Sequence, residues 1–311
     1  MNRNFERIRS ARATALLAVL WVIGILSILV FTSSQFLFSE IEQSAANAHG
    51  FRAEQLADTA IALAANPAVE RWDPILRAQL SDTEAYEARI VSEGARLHLN
   101  SLLGDEIHHQ VLRDLFQLWG LGPEQSIAVV DSLADWVDQD QQLRAAGAER
   151  ELYGELGLQG RPYNRDFIDL DEARLVLGMD LVAAAKPDWR QAFTLHSGGK
   201  LDLNDAPPQL IQALCQCPLE VVLRFDATRK GADGLVFTED DVRFQSVTEA
   251  LNALGAGGDL QLLESRATVN DSVTRLIGIG IVGDFALERS VVVRSRSSQP
   301  VVLDVESRRF R

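Results

Sequence analysis

Two hydrophobic patterns divide the chain. Residues 13–39 contain no Asp, Glu, Lys or Arg, and within them residues 15–31 read ALLAVLWVIGILSILVF, apolar on every face of a helix. About 20 residues at 1.5 Å rise cross a ~30 Å hydrocarbon core, whereas a surface helix of a soluble domain needs only one apolar stripe. The run continues without a break into SEIEQSAANAHGFRAEQLADTAIALAANP. There Ala45, Ala48, Ala53, Leu56, Ala60, Leu63 and Ala64 recur at helical spacing, and Asn66-Pro67 ends the pattern. The prediction is one helix over residues 14–66, lipid-spanning over 14–38 and amphipathic beyond. A secretory signal would have a shorter apolar region, roughly 7–15 residues.

Downstream the periodicity changes several times. Residues 86–100 read as a strand with Leu97 and Leu99 on one face. Residues 101–198 show helical spacing at 108–119, 123–136 and 169–177, the last ending at Gly178. Further helices are expected from Pro207 to about 214, near 218–224, and over 246–254. Residues 274–283, 287–295 and 300–306 read as strands, with Val291, Val293, Val301, Leu303 and Val305 alternating as a half-buried sheet requires. Two similar LxLN segments, 97–100 and 201–204, flank the helical block. The expected class is therefore α+β: a long N-terminal helix packed on an antiparallel sheet, with an all-α domain at 101–198 inserted between 67–100 and 199–311.

Charge adds orientation. Arg3, Arg7, Arg9 and Arg12 against Glu6 give the first 13 residues +3, leaving −17 of the total −14 on the remainder. Positive flanks stay cytoplasmic, so the body is expected on the far side of the membrane. Such an acidic body argues against general nucleic-acid binding. Apolar and charged fractions of 47% and 24% are those of a folded globular protein rather than a disordered chain.

The acidic loop 135–151 is the strongest candidate site, holding Asp135, Asp138, Asp140, Glu149 and Glu151. Hard carboxylate oxygens without nearby histidine or thiolate suit calcium, which takes 6–8 oxygen ligands. Asp138, Asp140 and Glu149 fall at positions 1, 3 and 12 of an EF-hand loop, but Leu143 stands where that loop needs glycine, which excludes an EF-hand. A second acidic cluster, Asp233, Glu239, Asp240 and Asp241, reads as a turn and a helix start rather than a site.

His49, His98, His108, His109 and His196 have no metal-ligand spacing, and His108 and His109 fall on different helix faces. Cys215 and Cys217 lack the partners of a zinc site and sit too close for an unstrained disulfide, so they are read as partly buried thiols. No nucleophile elbow or phosphate loop is present. A helix-hairpin-helix at LDLNDAPPQLIQALCQCP is the competing reading, but no Lys or Arg lies between Lys200 and Arg224. A membrane-anchored metal-dependent hydrolase would need a His/Asp constellation that no motif marks.

Three segments carry a resemblance. They are SEGARLHLN (92–100), LDLNDAPPQLIQAL (201–214) and the stretch 134–180, where Asp-Trp-x-Asp-x-Asp precedes Gly-Ala-Glu, a tyrosine, Pro-x-Asn and Gly-Met. With the N-terminal helix they resemble the K-type minor pseudopilins of type II secretion systems. The resemblance implies a pilin-like fold with an inserted helical domain, no enzymatic activity, and calcium held within that domain.

The resemblance also implies a leader at 1–13, cut by prepilin peptidase between Ala13 and Thr14; where the family usually has glycine before the cut, this chain has Ala13. The fifth mature residue would be Ala18 instead of the usual glutamate, as K-type members have it at the tip of a filament. Implied partners are the I-type and J-type minor pseudopilins, the major pseudopilin and secreted substrates. The implied setting is the bacterial inner membrane, with the body in the periplasm.

Overall fold

The computed structural model describes residues 3–257, 259–297 and 299–310, with side chains described outside 3–18, 37, 38, 41, 42 and 310. It begins with helix α1 (Arg3–Ala65), one uninterrupted rod. None of its segment Val19–Phe36 is buried, and that segment is apolar and long enough to cross a membrane. Asn66 ends the helix: its side chain accepts from the Ala68 N–H across Pro67 (3.0 Å), and the residue before proline is driven out of the helical region.

The second half of α1 lies on a five-stranded antiparallel sheet. Its strands are β1 (Arg77–Gln79), β2 (Glu84–Ser92), β7 (Val273–Val282), β8 (Phe285–Arg294) and β9 (Val301–Phe310), in that spatial order. Register runs from Glu84↔Val282 to Ser92↔Thr274 between β2 and β7, and Val282↔Phe285 closes a two-residue hairpin with Gly283 at φ 58°. Ala53, Leu56, Ala57, Ala60 and Ala64 form the buried stripe of α1. Helix and sheet approach closely because β7 offers Gly278 and Gly280. A Cβ on Gly280 would collide with the Ala53 carbonyl, and one on Gly278 with that of Ala57.

Between neighbouring strands β2 and β7 the chain leaves the sheet and builds a helical body. It contains β3 (Leu97–His98), α2 (Leu99–Leu103), α3 (His109–Leu118), α4 (Pro123–Val137), α5 (Arg150–Glu155) and α6 (Met179–Ala185). There follow β4 (Phe193–Thr194), β5 (Leu201–Asp202), α7 (Pro208–Cys215), α8 (Leu219–Arg229), α9 (Val247–Ala253), α10 (Leu260–Arg266) and β6 (Ala267–Thr268). Short parallel pairs β3–β4 and β5–β6 close the body's two successive segments, 97–194 and 201–268.

Three expectations are revised. The strand read over 86–100 stops at Ser92. Glu93 turns inward to pair with Arg275 of β7, and Leu97 and Leu99 are buried in the helical core rather than on the sheet. Residues 169–177 form a 3-10 turn (Leu170–Leu175), and the α-helix there is α6, begun after Gly178 at φ 87°. One hydrophobic core runs from Leu97 to Ala267, centred on Trp136, Trp189, Tyr153, Phe116 and Phe193. Residues 199–267, expected with the sheet, thus pack with the helices of 101–198, because Leu201 and Leu203 point into that core. The sheet draws only on 77–92 and 273–310.

Two buried ionic networks weld body to sheet. Glu93 accepts two bonds from Arg275 (2.7 and 2.9 Å) and one from Thr194 (2.5 Å), and Arg275 also reaches Ser290 and Glu306. Burial would raise the Glu93 pKa, yet Arg275 holds it below the ordinary value. In the second network Asp205 accepts from Arg71 (2.7 Å) and Arg243 (3.0 Å), which outweigh burial and lower its pKa. Its neighbour Asp202 has no such cation, and its pKa is raised by burial and by Asp205. Removing one partner of such a pair costs about 3–5 kcal/mol because the other charge is stranded.

Candidate cation site

Helix α4 presents the site's first residues. Pro123 opens it, with the Gly122 N–H held by Gln125 Oε1 at 2.9 Å. At its other end Trp136 is fully buried against Tyr153 (5.8 Å), Tyr163 (4.9 Å) and Phe167 (6.3 Å). This aromatic floor fixes where the chain leaves the helix at Asp138 and where it re-enters one at Glu149, the N-cap of α5. Asn164, at φ 51°, ties the loop down. Its N–H donates to the Trp136 carbonyl (3.0 Å) and its Nδ2 to the Asp140 carbonyl (2.7 Å). Asparagine tolerates that left-handed conformation better than most residues.

Of the five expected ligands, the fold brings three together. Asp138, Asp140 and Glu149 each offer an oxygen within 4.8 Å of the other two. Asp135 is fully buried but engaged, taking Arg144 Nη1 at 2.6 Å. Glu151 lies exposed in the first turn of α5, outside the cluster. Arg144, which the sequence did not single out, bridges Asp135 and Asp138. Gly147 makes room for this arrangement, since a Cβ there would collide with the Asp135 carboxylate.

The cluster is electrostatically unfinished. Arg144 pairs with Asp135 and Asp138, while Asp140 and Glu149 have no ion pair among the described residues. Asp138 Oδ1 and Glu149 Oε1 are buried without a hydrogen-bond partner, as is Asn164 Oδ1. Burial, then repulsion from Asp135, Asp138 and Asp140, raises the Glu149 pKa. Burial also raises that of Asp135, against the pull of Arg144. Burial disfavours the Arg144 charge, but Asp138 and Asp135 more than compensate and hold it firmly protonated. Buried anionic oxygens without donors are costly. Oxygen-only donors carrying excess negative charge fit a hard divalent cation such as calcium. Asp138, Asp140 and Glu149 would hold it, and its charge would satisfy the oxygens that no N–H reaches.

The second acidic cluster has no such deficit. Asp240 accepts from the N–H groups of Ala232 (2.6 Å) and Asp233 (3.1 Å) and from Thr238 Oγ1 (2.9 Å). Asp241 accepts from the Phe237 N–H (2.8 Å) and Asp233 from that of Leu235 (2.7 Å). No helix begins at Glu239; the carboxylates close a turn instead.

The histidines take structural roles. His98 caps α2 through Nδ1, and buried His109 bonds the Leu103 carbonyl through Nε2 (3.1 Å). Cys215 and Cys217 are free and buried, more deeply than expected, and burial pushes the Cys215 thiol up to about 12. Helices α7 and α8 do form a hairpin, but Arg229 and Lys230 at its end are bound to Asp226. The turn itself, residues 216–218, carries no cation to meet a phosphate backbone.

The chain is similar to known proteins. A model of the type II secretion system (T2SS) protein K family, first domain, matches residues 95–187, which contain the whole acidic cluster. Type II secretion system protein K of Dickeya chrysanthemi is 37% identical over 71 residues, a stretch covering 23% of this chain and 19% of that protein. The solved GspK-GspI-GspJ complex from the enterotoxigenic Escherichia coli type 2 secretion system contains a chain of the same fold. The match has a TM-score of 0.60 at 16% identity and covers 86% of this chain and 98% of that one.

Proposed function

We propose, from a chain whose residues 95–187 carry the protein K domain of type II secretion, that the protein is a K-type minor pseudopilin acting at the tip of a short periplasmic filament. The observation that carries this reading is the combination of that domain with a pilin-like frame. A lone exposed apolar helix enters a glycine-lined sheet, and the helical body fills the excursion between β2 and β7. The role is assembly, not catalysis.

In this reading prepilin peptidase cuts between Ala13 and Thr14, on the helical backbone of α1, where side chains lie outside the described residues. The helix stays in the inner membrane with its N-terminus cytoplasmic, as the basic flank favours. Its partners are the I- and J-type minor pseudopilins, whose counterparts accompany the K protein in the solved Escherichia coli complex, together with the major pseudopilin and secreted substrates. Position five of the mature chain is Ala18. A carboxylate in lipid without a partner is costly, so a subunit with no neighbour above it does best without one. The bulk of the helical body also suits an end position, since it would obstruct stacking inside a shaft.

Calcium at Asp138, Asp140 and Glu149 would steady the loop between α4 and α5, and hence the surface this domain presents. The mature N-terminus tests the central step. In a host carrying prepilin peptidase, mass spectrometry should find a chain beginning at Thr14. A mature chain beginning at Met1 would overturn the assignment.

A further inference from the structure

Body and sheet do not close on one another completely. A cleft of about 1020 Å³ runs between body residues 187–196 and β9, and each residue from Leu303 to Arg308 lines it. A cleft over one face of a strand would meet only alternate residues, so this one follows the strand's edge. That edge is free. β9 is 10 residues long and ends the five-stranded sheet, with no strand beyond it among the described residues. Its backbone N–H and C=O groups on that side are open to another strand. Val301, Val302 and Val305, beside them, are half exposed.

The cleft also holds a cation without a partner. Arg96 ends the 3-10 turn Glu93–Ala95 and lines the cleft where body meets sheet. Its side chain makes no hydrogen bond or ion pair among the described residues, and each of its side-chain nitrogens keeps accessible surface. The acids nearby are engaged elsewhere. Glu93 and Glu306 turn to Arg275, while Asp304 takes the Val305 N–H (2.9 Å) and faces His196 at 3.9 Å. Arg174 and Arg190, also on the cleft, share Asp171. Burial, then repulsion from Arg275, lowers the Arg96 pKa against the pull of Glu93, Glu306 and Asp304. A half-buried charge without a counter-ion is costly, and this one opens onto room for an anion.

We propose that the cleft seats an extended, acidic segment of another protein, which adds a strand to β9 and gives a side-chain carboxylate to Arg96. An added strand takes its affinity from main-chain bonds along the edge and its specificity from side-chain contacts. Guanidinium–carboxylate pairing is the strong, two-pronged kind, so Arg96 selects an acid at one position. A free small anion would meet Arg96 but leave the edge unpaired and most of the cleft empty. A second copy of this chain is also a poor occupant. Helix α1 runs along the strands, from Ala53 at Gly280 to Ala57 at Gly278. A copy paired antiparallel on β9 would send its Val19–Phe36 segment the opposite way, and the two helices would enter a membrane from opposite sides. The acidic segment need not belong to a secretion component.

The probe is a short synthetic peptide of alternating threonine and valine with one central glutamate, blocked at both ends and labelled with fluorescein. A control peptide carries glutamine instead. Fluorescence anisotropy with the detergent-solubilised full-length chain should show the glutamate peptide binding at least about tenfold tighter. Hydrogen exchange over residues 303–308 should slow in its complex. Arg96→Met should remove the preference without lowering Tm, since the guanidinium holds no partner in the fold. No binding, equal binding of the two peptides, or a preference that survives in Arg96→Met overturns the proposal. So does a Tm lowered by that substitution, displacement of the peptide by an equal concentration of sodium acetate, or a dimer of the unaltered chain in which 303–308 is already protected.

Discussion

Loops 135–151 and 231–241 are both short, acidic and dependent on a glycine, yet they meet their charges to different degrees. In 231–241 the chain turns its own N–H groups onto Asp233, Asp240 and Asp241, so the carboxylates serve as turn caps. In 135–151 backbone N–H groups reach only one oxygen each of Asp135, Asp140 and Glu149. Asp138 Oδ1 and Glu149 Oε1 are left buried without donors. Carboxylate count does not distinguish the loops. What distinguishes them is whether buried lone pairs are matched from within the chain, and only the unmatched set calls for a cation.

The strongest way to break the contrast is to remove Arg144, the cation that pairs with the first loop's buried carboxylates. Arg144→Met strands fully buried Asp135 and should cost about 3–5 kcal/mol in the presence of a chelator, read from denaturant or thermal unfolding. Calcium should recover part of that loss. Stability equal to the unaltered protein would mean that Arg144 does not hold the loop.

A smaller effect separates the two glycines. Gly147→Ala drives a methyl into the Asp135 carboxylate. Gly231→Ala, at φ 64°, drives one against Asp240. Each should cost about 1–3 kcal/mol, but only Gly147→Ala should also abolish the Tm rise that calcium gives.

The smallest effect is one of sign. Glu149 has a raised pKa, so its folded form keeps its proton longer than the unfolded chain does. Its contribution is present at acid pH and is lost as pH rises from about the ordinary 4.5 through the raised value. Exposed Asp240 has a lowered pKa, set first by Thr238, so its contribution is present above 3.8 and fades as pH falls through the lowered value. Carboxyl carbon NMR without calcium should show Glu149 titrating above 4.5 and Asp240 below 3.8, with calcium moving only Glu149. Parallel shifts in both would erase the distinction.

Much of the frame was legible from sequence because it rests on long, regular patterns. The rod α1 follows from an unbroken apolar run and its Asn66-Pro67 stop, and β7, β8 and β9 follow from alternation. Elements of six or seven residues, such as α5 and α6, show too little periodicity to register; packing around Trp136 and Trp189 holds them. The end of β2 was hidden because Glu93 looks like any strand-edge charge until Arg275, from the far side of the excursion, draws it inward. Gly278 and Gly280 did leave a signal, since two glycines inside IGIGIV mark a close backbone approach. For the site, Asp138, Asp140 and Glu149 were readable as hard donors. Arg144 and Asn164 were not, because their roles come from how the loop folds back on itself.

Calorimetric titration of calcium into the detergent-solubilised full-length chain tests the central claim about these loops. The account predicts a single binding event in the unaltered protein, weakened at least tenfold, about 1.4 kcal/mol, by Asp138→Asn and unchanged by Asp240→Asn. No binding heat at millimolar calcium, or equal weakening by both substitutions, would contradict it.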